Sequence, residues 1–323
     1  MRQRFTPPLS RPPDFDAFWE ATLRELDAVD PDVEPHSTLV DPSNLELTLS
    51  SFRSLGGVRV SMYLVRWRDG RPRPLVVHAH GYRDDGPEIQ MAWARGGLNV
   101  AGIDIRGYGR SRGACERQSP WGWVVTGLSA PETAILRGAV CDFLRAVTLA
   151  RRQLDGHLVR TIVHGQSFAG GLAVMAEAVR PQADLLALAV PTLGWAEGRL
   201  FFVKGGSGIE IARYVDRFPE CAEDVMLALR YFDPINFAGR VRCPTVVGVG
   251  LVDSITPPET VYPIANHLRV PNEVLEFPVS HSKLPEEKLW ARFDARWIEL
   301  GLGGVPHEFG HPAHAPVGRT SRA

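Results

Sequence analysis

Short apolar runs that alternate with helical segments constrain the fold of this chain more than any other feature. The first run is Leu75–Ala79. Similar runs recur at Leu98–Ile105, Val159–His164, Leu185–Val190, Thr245–Gly250 and Glu273–Phe277. Helical periodicity falls between several of them, at Pro131–Ala150, Gly171–Val179, Pro257–Leu268 and Pro285–Leu300. Runs of this kind are typical of strands buried on both faces, so the alternation predicts an α/β fold with a mostly parallel, doubly wound sheet.

A leader precedes the alternating region. Residues 1–35 begin Pro-rich and continue into a segment of helical spacing that Asp14 can cap. Two β-like stretches follow, Leu45–Phe52 and Val58–Trp67, and the glycines between them predict a hairpin turn.

Two later segments also interrupt the pattern. Residues from about 192 to 240 break the strand–helix alternation, and we interpret them as a lid inserted on top of the sheet rather than as a second domain. The residues from 303 to 323 are rich in Gly, Pro, His and Arg without apolar periodicity, which predicts a disordered tail. We therefore expect one domain over residues 1–302.

The charge balance and the cysteines exclude several classes of protein. The chain carries 36 basic and 37 acidic residues, whereas binders of nucleic acid or membrane surfaces normally show a basic excess. Its four cysteines include no Cys-x-x-Cys pair, which argues against zinc ribbons, redox motifs and a disulfide framework. There is no apolar signal region and no apolar run of membrane-spanning length, so we expect a cytoplasmic protein. The tail histidines, His307, His311 and His314, are interpreted as adventitious metal binders at most.

A nucleophile motif follows the third apolar run. The string His164-Gly165-Gln166-Ser167-Phe168-Ala169-Gly170-Gly171 joins a buried-type strand to a helical segment. This is the context of the G-x-S-x-G elbow, in which a sharp turn exposes the serine hydroxyl at the carboxyl edge of the sheet. Ala169 stands where that motif has its second glycine. An ordinary Gly-rich turn between a strand and a helix is the alternative interpretation of the motif alone.

A base and an orienting carboxylate follow Ser167 in the order that such folds use. Asp253 lies three residues past the run Thr245–Gly250, and His281 follows the run Glu273–Phe277. Active sites of open parallel sheets form at the carboxyl ends of the strands. The order Ser, Asp, His, with each residue after a strand, predicts a catalytic triad of Ser167, Asp253 and His281.

Two backbone amides are candidates for an oxyanion hole. Phe168 directly follows the nucleophile, and Tyr82 lies on the loop after the strand Leu75–Ala79. His80 precedes Ser167 in the chain, which is the wrong side for the general base in this order, so we expect it to hold the loop instead.

A second glycine-rich string carries a competing interpretation. Residues 107–113, Gly-Tyr-Gly-Arg-Ser-Arg-Gly, follow a strand and look like a dinucleotide-binding loop. The third glycine is one residue too far, no clean helix begins there, and no acidic residue ends a second strand about 20 residues later. The string is therefore interpreted as a loop at the sheet edge.

With these residues the chain resembles the α/β-hydrolase fold and, within it, carbohydrate esterase family 7, the acetyl xylan esterases and cephalosporin-C deacetylases. The likeness spans about residues 6 to 300 and rests on several strings, at 11–19, 80–82, 106–109, 127–132, 231–238 and 249–258. The family's R-G-Q-G is Arg-Gly-Tyr-Gly here at 106–109, and its H-E is His281-Ser282. Phe168 replaces its Gln after the nucleophile, which makes the floor of the site more apolar.

The resemblance implies a serine esterase that removes small acyl groups, chiefly acetyl, from sugars and related alcohols. It implies no metal or organic cofactor, a small acylated substrate, and a cytoplasmic homo-oligomer that is commonly a hexamer. Two alternatives stay open. One is an esterase, thioesterase or peptidase-like enzyme of different acyl preference, and the other is a catalytically silent hydrolase fold used for binding.

Overall fold

A nine-stranded sheet organises the fold. Its strands are β1 (Glu34–Val40), β2 (Leu45–Arg53), β3 (Arg59–Trp67), β4 (Arg73–Ala79), β5 (Asn99–Ile103), β6 (Leu158–Gln166), β7 (Leu185–Ala189), β8 (Thr245–Val252) and β9 (Asn272–Val279). Their order is β1-β2-β3-β5-β4-β6-β7-β8-β9. Three pairs are antiparallel: β1 with β2, β2 with β3, and β3 with β5. The remaining pairs, which join β5, β4, β6, β7, β8 and β9 in that order, are parallel. The expected mostly parallel sheet is confirmed.

The computed structural model describes residues 2–82, 85–115, 118–280 and 286–303. Its helices are α1 (Phe15–Ala28), α2 (Met91–Arg95), α3 (Ile135–Gln153), α4 (Phe168–Val179), α5 (Ala196–Phe202), α6 (Gly206–Arg217), α7 (Ala222–Arg230), α8 (Ile235–Ala238), α9 (Pro258–His267) and α10 (Glu286–Gly301). None of these described helices has both the length and the apolar character needed to cross a membrane.

Helices cover both faces of the sheet, as a doubly wound fold requires. The core on one face contains the buried apolar side chains of α1, α3, α4 and α9, whereas the core on the other face contains those of α2 and α10. Strands β4 and β7 lie in the middle of the sheet and are buried on both faces, which explains why they appear in the sequence as short apolar runs.

Strand β1 was not predicted from the sequence, and neither was the short helix α2. All seven residues of β1 are exposed, and the strand pairs only with β2 at the edge of the sheet. A strand with no buried face has no need of alternating apolar residues, so it carries no periodic signal. The predicted hairpin between β2 and β3 is confirmed, and Gly56 and Gly57 both have φ values near +70° in its turn, +73° and +72°.

The leader and the predicted lid meet in one aromatic cluster. Phe18 and Trp19 of α1 pack against Phe232, and the Trp19 indole N–H donates a hydrogen bond to the Tyr231 carbonyl at 3.2 Å. Helices α5 to α8 all lie in the stretch predicted as a lid, between β7 and β8. Residues 304–323, which hold nearly all of the predicted tail and its three histidines, lie outside the described residues.

A buried ion pair joins the loop after β5 to helix α3. The Arg106 guanidinium donates to both oxygens of Asp142, from Nε at 2.8 Å and from Nη2 at 2.7 Å. The Asp142 side chain is 0% exposed. Gly138 leaves room for the pair, because a Cβ at this position would lie 2.1 Å from Arg106 Nη1. The pair fixes the loop that leads from β5 toward the functional site.

We expect Asp142→Ala to lower the free energy of unfolding by about 3–5 kcal/mol, because it leaves a buried guanidinium without its carboxylate. The matched control is Asp27→Ala, which removes the partner of Arg180 on the surface and should cost no more than about 1 kcal/mol. Urea denaturation followed by circular dichroism measures both variants. Equal, small losses in the two variants would show that the buried pair is not the constraint described here.

Candidate active site

Ser167 lies at the elbow between β6 and α4 in a strained backbone conformation. Its φ of 53° and ψ of −113° fall outside the regions that L-residues usually occupy. The neighbouring residues must be small: a Cβ on Gly165 would lie 2.4 Å from the Ala169 carbonyl oxygen, and one on Gly171 would lie 2.5 Å from the Thr192 carbonyl oxygen. The sharp turn predicted from the motif is therefore present, and a methyl group at Ala169 fits within it.

Phe168 begins helix α4 beneath the elbow, and its side chain is fully buried. Its ring contacts Tyr82 and Trp123 edge-on, with centroid separations of 5.5 Å and 5.2 Å. Tyr108 also packs against the rings of Phe168 and Trp123. We call these four residues the aromatic floor. The replacement of the family's Gln by Phe168 is explained by this environment, which offers rings rather than polar partners.

Tyr82 lies on the loop that follows β4, where the sequence placed it. Its ring belongs to the aromatic floor, and its phenol oxygen accepts a hydrogen bond from the Val124 N–H at 2.9 Å. The phenol donates to the Glu210 carboxylate of helix α6. Burial raises the pKa of Tyr82 well above its ordinary value, so the phenol keeps its proton and remains a donor.

His80 stabilises the same loop, as expected. Its Nε2 accepts a hydrogen bond from the Ile105 N–H at 3.2 Å, so the proton lies on Nδ1, which is 2.8 Å from the Gly81 carbonyl oxygen. The imidazole thereby links the loops after β4 and β5 at the carboxyl edge of the sheet.

Asp253 follows β8, and its carboxylate is held from several directions. Oδ1 accepts the N–H groups of Ile255 and Thr256 at 2.7 Å and 2.8 Å, and Oδ2 accepts the Thr256 hydroxyl at 2.7 Å. The Ser280 hydroxyl, at the end of β9, also donates to Oδ2. Four donors hold the carboxylate in one orientation, which suits a group that must in turn orient an imidazole.

The predicted base, His281, lies outside the described residues. The described residue before it is Ser280, and the contact between Ser280 and Asp253 joins the ends of β8 and β9. The assignment of His281 as the general base stays a prediction. The catalytic roles of Ser167 and Asp253 and the oxyanion roles of Tyr82 and Phe168 also stay predictions.

A cavity of about 730 Å³ opens at Ser167. It extends to the face of the sheet that α2 and α10 cover, and its lining includes Tyr82, Gly206, Ile255, His78, His164, Trp93, Trp290, Phe293 and Asp294. Within the described ranges, no group of three or more His, Cys, Asp or Glu side chains is arranged to hold a metal ion.

Two buried histidines form part of the cavity wall. Burial lowers the pKa of His164 to about 4 and that of His78 to about 3, so both are neutral near pH 7. His78 hydrogen-bonds the Tyr63 hydroxyl at 2.5 Å, whereas Nδ1 of His164 has no partner in the described part of the chain. This wall was not predicted from the sequence, where its only signal is a histidine in each of the strands β4 and β6.

A comparison with models of known protein families identifies one match that covers most of the chain. A model of the acetyl xylan esterase (AXE1) family matches residues 3–287. The acetyl esterase Axe7A of Xylanibacter ruminicola is 23% identical over 292 residues, which are 85% of this chain and 64% of that protein. The chain therefore covers somewhat less than two thirds of that relative's length.

Two solved structures are similar over almost their whole length. The acetyl xylan esterase from Paenibacillus sp. R4 has a TM-score of 0.80 at 24% identity and covers 91% of this chain and 98% of its own. Acetyl xylan esterase 1 from Thermoanaerobacterium sp. JW/SL YS485 has a TM-score of 0.79 at 22% identity, with 90% and 96% covered. The α/β-hydrolase fold expected from the motifs is confirmed.

We expect Gly165→Ala to abolish labelling of Ser167 by a fluorophosphonate probe, because the added methyl would displace the start of α4 and with it the elbow. The matched control is Gly113→Ala, where a Cβ meets nothing within 4 Å, and this variant should label like the wild type. Gel fluorescence of the labelled proteins measures the effect. Full labelling of a folded Gly165→Ala protein would contradict the crowded elbow.

Proposed function

The chain belongs to the acetyl xylan esterase family, and on that premise we propose that it is a serine carboxylic-ester hydrolase that removes acetyl groups from sugars. The observation that carries the proposal is the strained elbow that presents Ser167 to a cavity of about 730 Å³. A serine held at φ 53° between crowded glycines is costly to maintain, and such strain is concentrated at functional sites.

In the proposed reaction, the Ser167 hydroxyl attacks the ester carbonyl while His281 takes its proton. The tetrahedral oxyanion is stabilised by the backbone N–H groups of Tyr82 and Phe168. Collapse of this intermediate breaks the bond to the alcohol, which leaves with the proton from His281, and an acetyl-serine remains. Water, activated by His281, then attacks the acetyl-serine and releases acetate. Asp253 orients the imidazole and stabilises its cation throughout.

The shape and chemistry of the cavity support a sugar as the alcohol part of the substrate. An acetyl group fills only a small part of about 730 Å³, so most of the space is available to the alcohol. Aromatic side chains such as Trp93 and Trp290 line the cavity, and aromatic rings of this kind can pack against the apolar face of a sugar ring.

The same cavity favours a second candidate, an esterase of longer acyl groups, because a pocket of this size can also hold an extended acyl chain. A series of p-nitrophenyl esters from acetate to octanoate separates the two. A steep fall in kcat/KM beyond propionate supports the deacetylase, and a maximum at longer chains supports the alternative.

Three finer predictions from the family resemblance belong to the same proposal. They are activity on cephalosporin C, assembly into a homo-oligomer such as a hexamer, and a cytoplasmic location. A screen of acetylated sugars and cephalosporin C tests the first, and light scattering of the purified protein tests the second.

We expect Ser167→Ala to abolish hydrolysis of p-nitrophenyl acetate while the protein keeps its fold, because no other hydroxyl can occupy the elbow. The control is Ser43→Ala, an exposed serine in the β1–β2 turn, which should hydrolyse the ester like the wild type. Absorbance at the p-nitrophenolate band gives the rates, and circular dichroism checks the fold. Turnover like that of the wild type in Ser167→Ala would refute the proposed function.

A further inference from the structure

Tyr82 combines a proposed role of its backbone N–H with a side chain that other parts of the fold hold in place. Its backbone N–H is the proposed second donor of the oxyanion hole, and its side chain is anchored far from that N–H by two hydrogen bonds at the phenol oxygen. A tyrosine side chain is a rigid ring with only two rotatable bonds, so anchoring the phenol restricts the Cα and the adjoining amide.

One of the two anchors comes from the predicted lid. Glu210 lies in α6, 128 residues away along the chain, and its carboxylate accepts the phenol hydrogen of Tyr82. The Glu210 residue is only 5% exposed, which is unusual for a glutamate without a structural or functional partner. The hydrogen bond is partly buried, and a hydrogen bond is electrostatically stronger inside a protein than in water.

The loop around residue 122 is shaped to admit this carboxylate. Gly122 has φ +133°, and a Cβ at this position would lie 2.0 Å from Glu210 Oε2. The next residues supply the other anchor, because the Val124 N–H donates to the same phenol oxygen and the Trp123 ring packs against Tyr82. Helix α6 and the loop at residues 122–124 therefore both contact the Tyr82 side chain.

The Tyr82 side chain, which Glu210 holds, also contacts the residue that follows the nucleophile. The Tyr82 ring meets the Phe168 ring edge-on at 5.5 Å, and Phe168 carries the first proposed oxyanion donor. Displacement of the Tyr82 side chain would thus affect the positions of both amides.

We propose that Glu210 is a positioning residue for catalysis, which holds the Tyr82 amide at the oxyanion through the phenol and so couples lid helix α6 to the chemical step. The inference rests on the proposed function. It assigns Glu210 no proton transfer and no contact with the substrate. Its effect belongs to kcat, because the oxyanion forms only after the substrate has bound.

The test is a double-mutant cycle of Glu210→Ala and Tyr82→Phe, assayed on p-nitrophenyl acetate. Loss of an oxyanion donor costs about 10²–10³ in kcat, and misplacement of one should cost less, so we expect each single variant to lose about 10- to 100-fold in kcat. KM should change little. Because both substitutions break the same hydrogen bond, the double variant should be about as slow as the slower single variant.

Two further variants separate positioning from a purely structural role. Glu210→Gln keeps an acceptor oxygen and should restore most of the kcat that Glu210→Ala loses. Asp216→Ala removes an exposed acidic residue of the same helix and should leave kcat unchanged. A thermal melt of each variant shows whether it is folded at the assay temperature.

The outcomes distinguish this inference from the proposed function. A folded Glu210→Ala protein with wild-type kcat, or additive losses in the double variant, would overturn the role of Glu210 while Ser167→Ala still tests the esterase. Failure of Glu210→Gln to recover kcat would also count against positioning through the hydrogen bond. Absence of any hydrolysis in the wild type would instead remove the proposed function itself.

Discussion

The crowded elbow at Ser167 is the constraint on which the rest of the site depends. Its backbone is fixed from both sides, because the Ser167 N–H donates to the Ala189 carbonyl at 2.8 Å and the Ser167 carbonyl accepts the Thr192 N–H at 3.0 Å. These bonds tie the nucleophile to the end of β7, from which the chain continues into the predicted lid. A side chain larger than hydrogen at Gly165 would push α4 away from the strand. The strain at one residue is therefore stabilised by the central strands of the sheet.

Groups around this point are held by hydrogen bonds rather than left to move. Four donors among the described residues hold the Asp253 carboxylate, His80 links two neighbouring loops, and the Tyr82 phenol lies between Val124 and Glu210. Preorganised dipoles of this kind stabilise a developing charge without reorganisation during the reaction. The cavity beside Ser167 is not filled in this way, because its wall of aromatic rings and neutral imidazoles surrounds open space that a ligand can occupy.

The sequence predicted the parts of the molecule that short-range patterns determine. Buried strands such as β7 have continuous apolar runs, and Ser167 lies in a motif whose small residues the turn requires. Strand β1 was missed because an exposed edge strand has no apolar face to reveal it. The Glu210 contact was missed for a different reason: a lone glutamate in an amphipathic helix looks like a solvent-facing residue, and only the fold brings it to Tyr82. The histidines of the cavity wall were missed because they lie inside predicted strands, and only the fold places them beside the cavity.

The most direct test of the account is to trap the intermediate. Wild-type protein mixed with an acetylated sugar and quenched in acid within the first turnovers should carry one acetyl group, located by peptide mass spectrometry on Ser167. The account predicts that this acetyl-serine forms and disappears at rates compatible with turnover. Hydrolysis that proceeds with no acetyl on Ser167, or with acetyl on another residue, would contradict it.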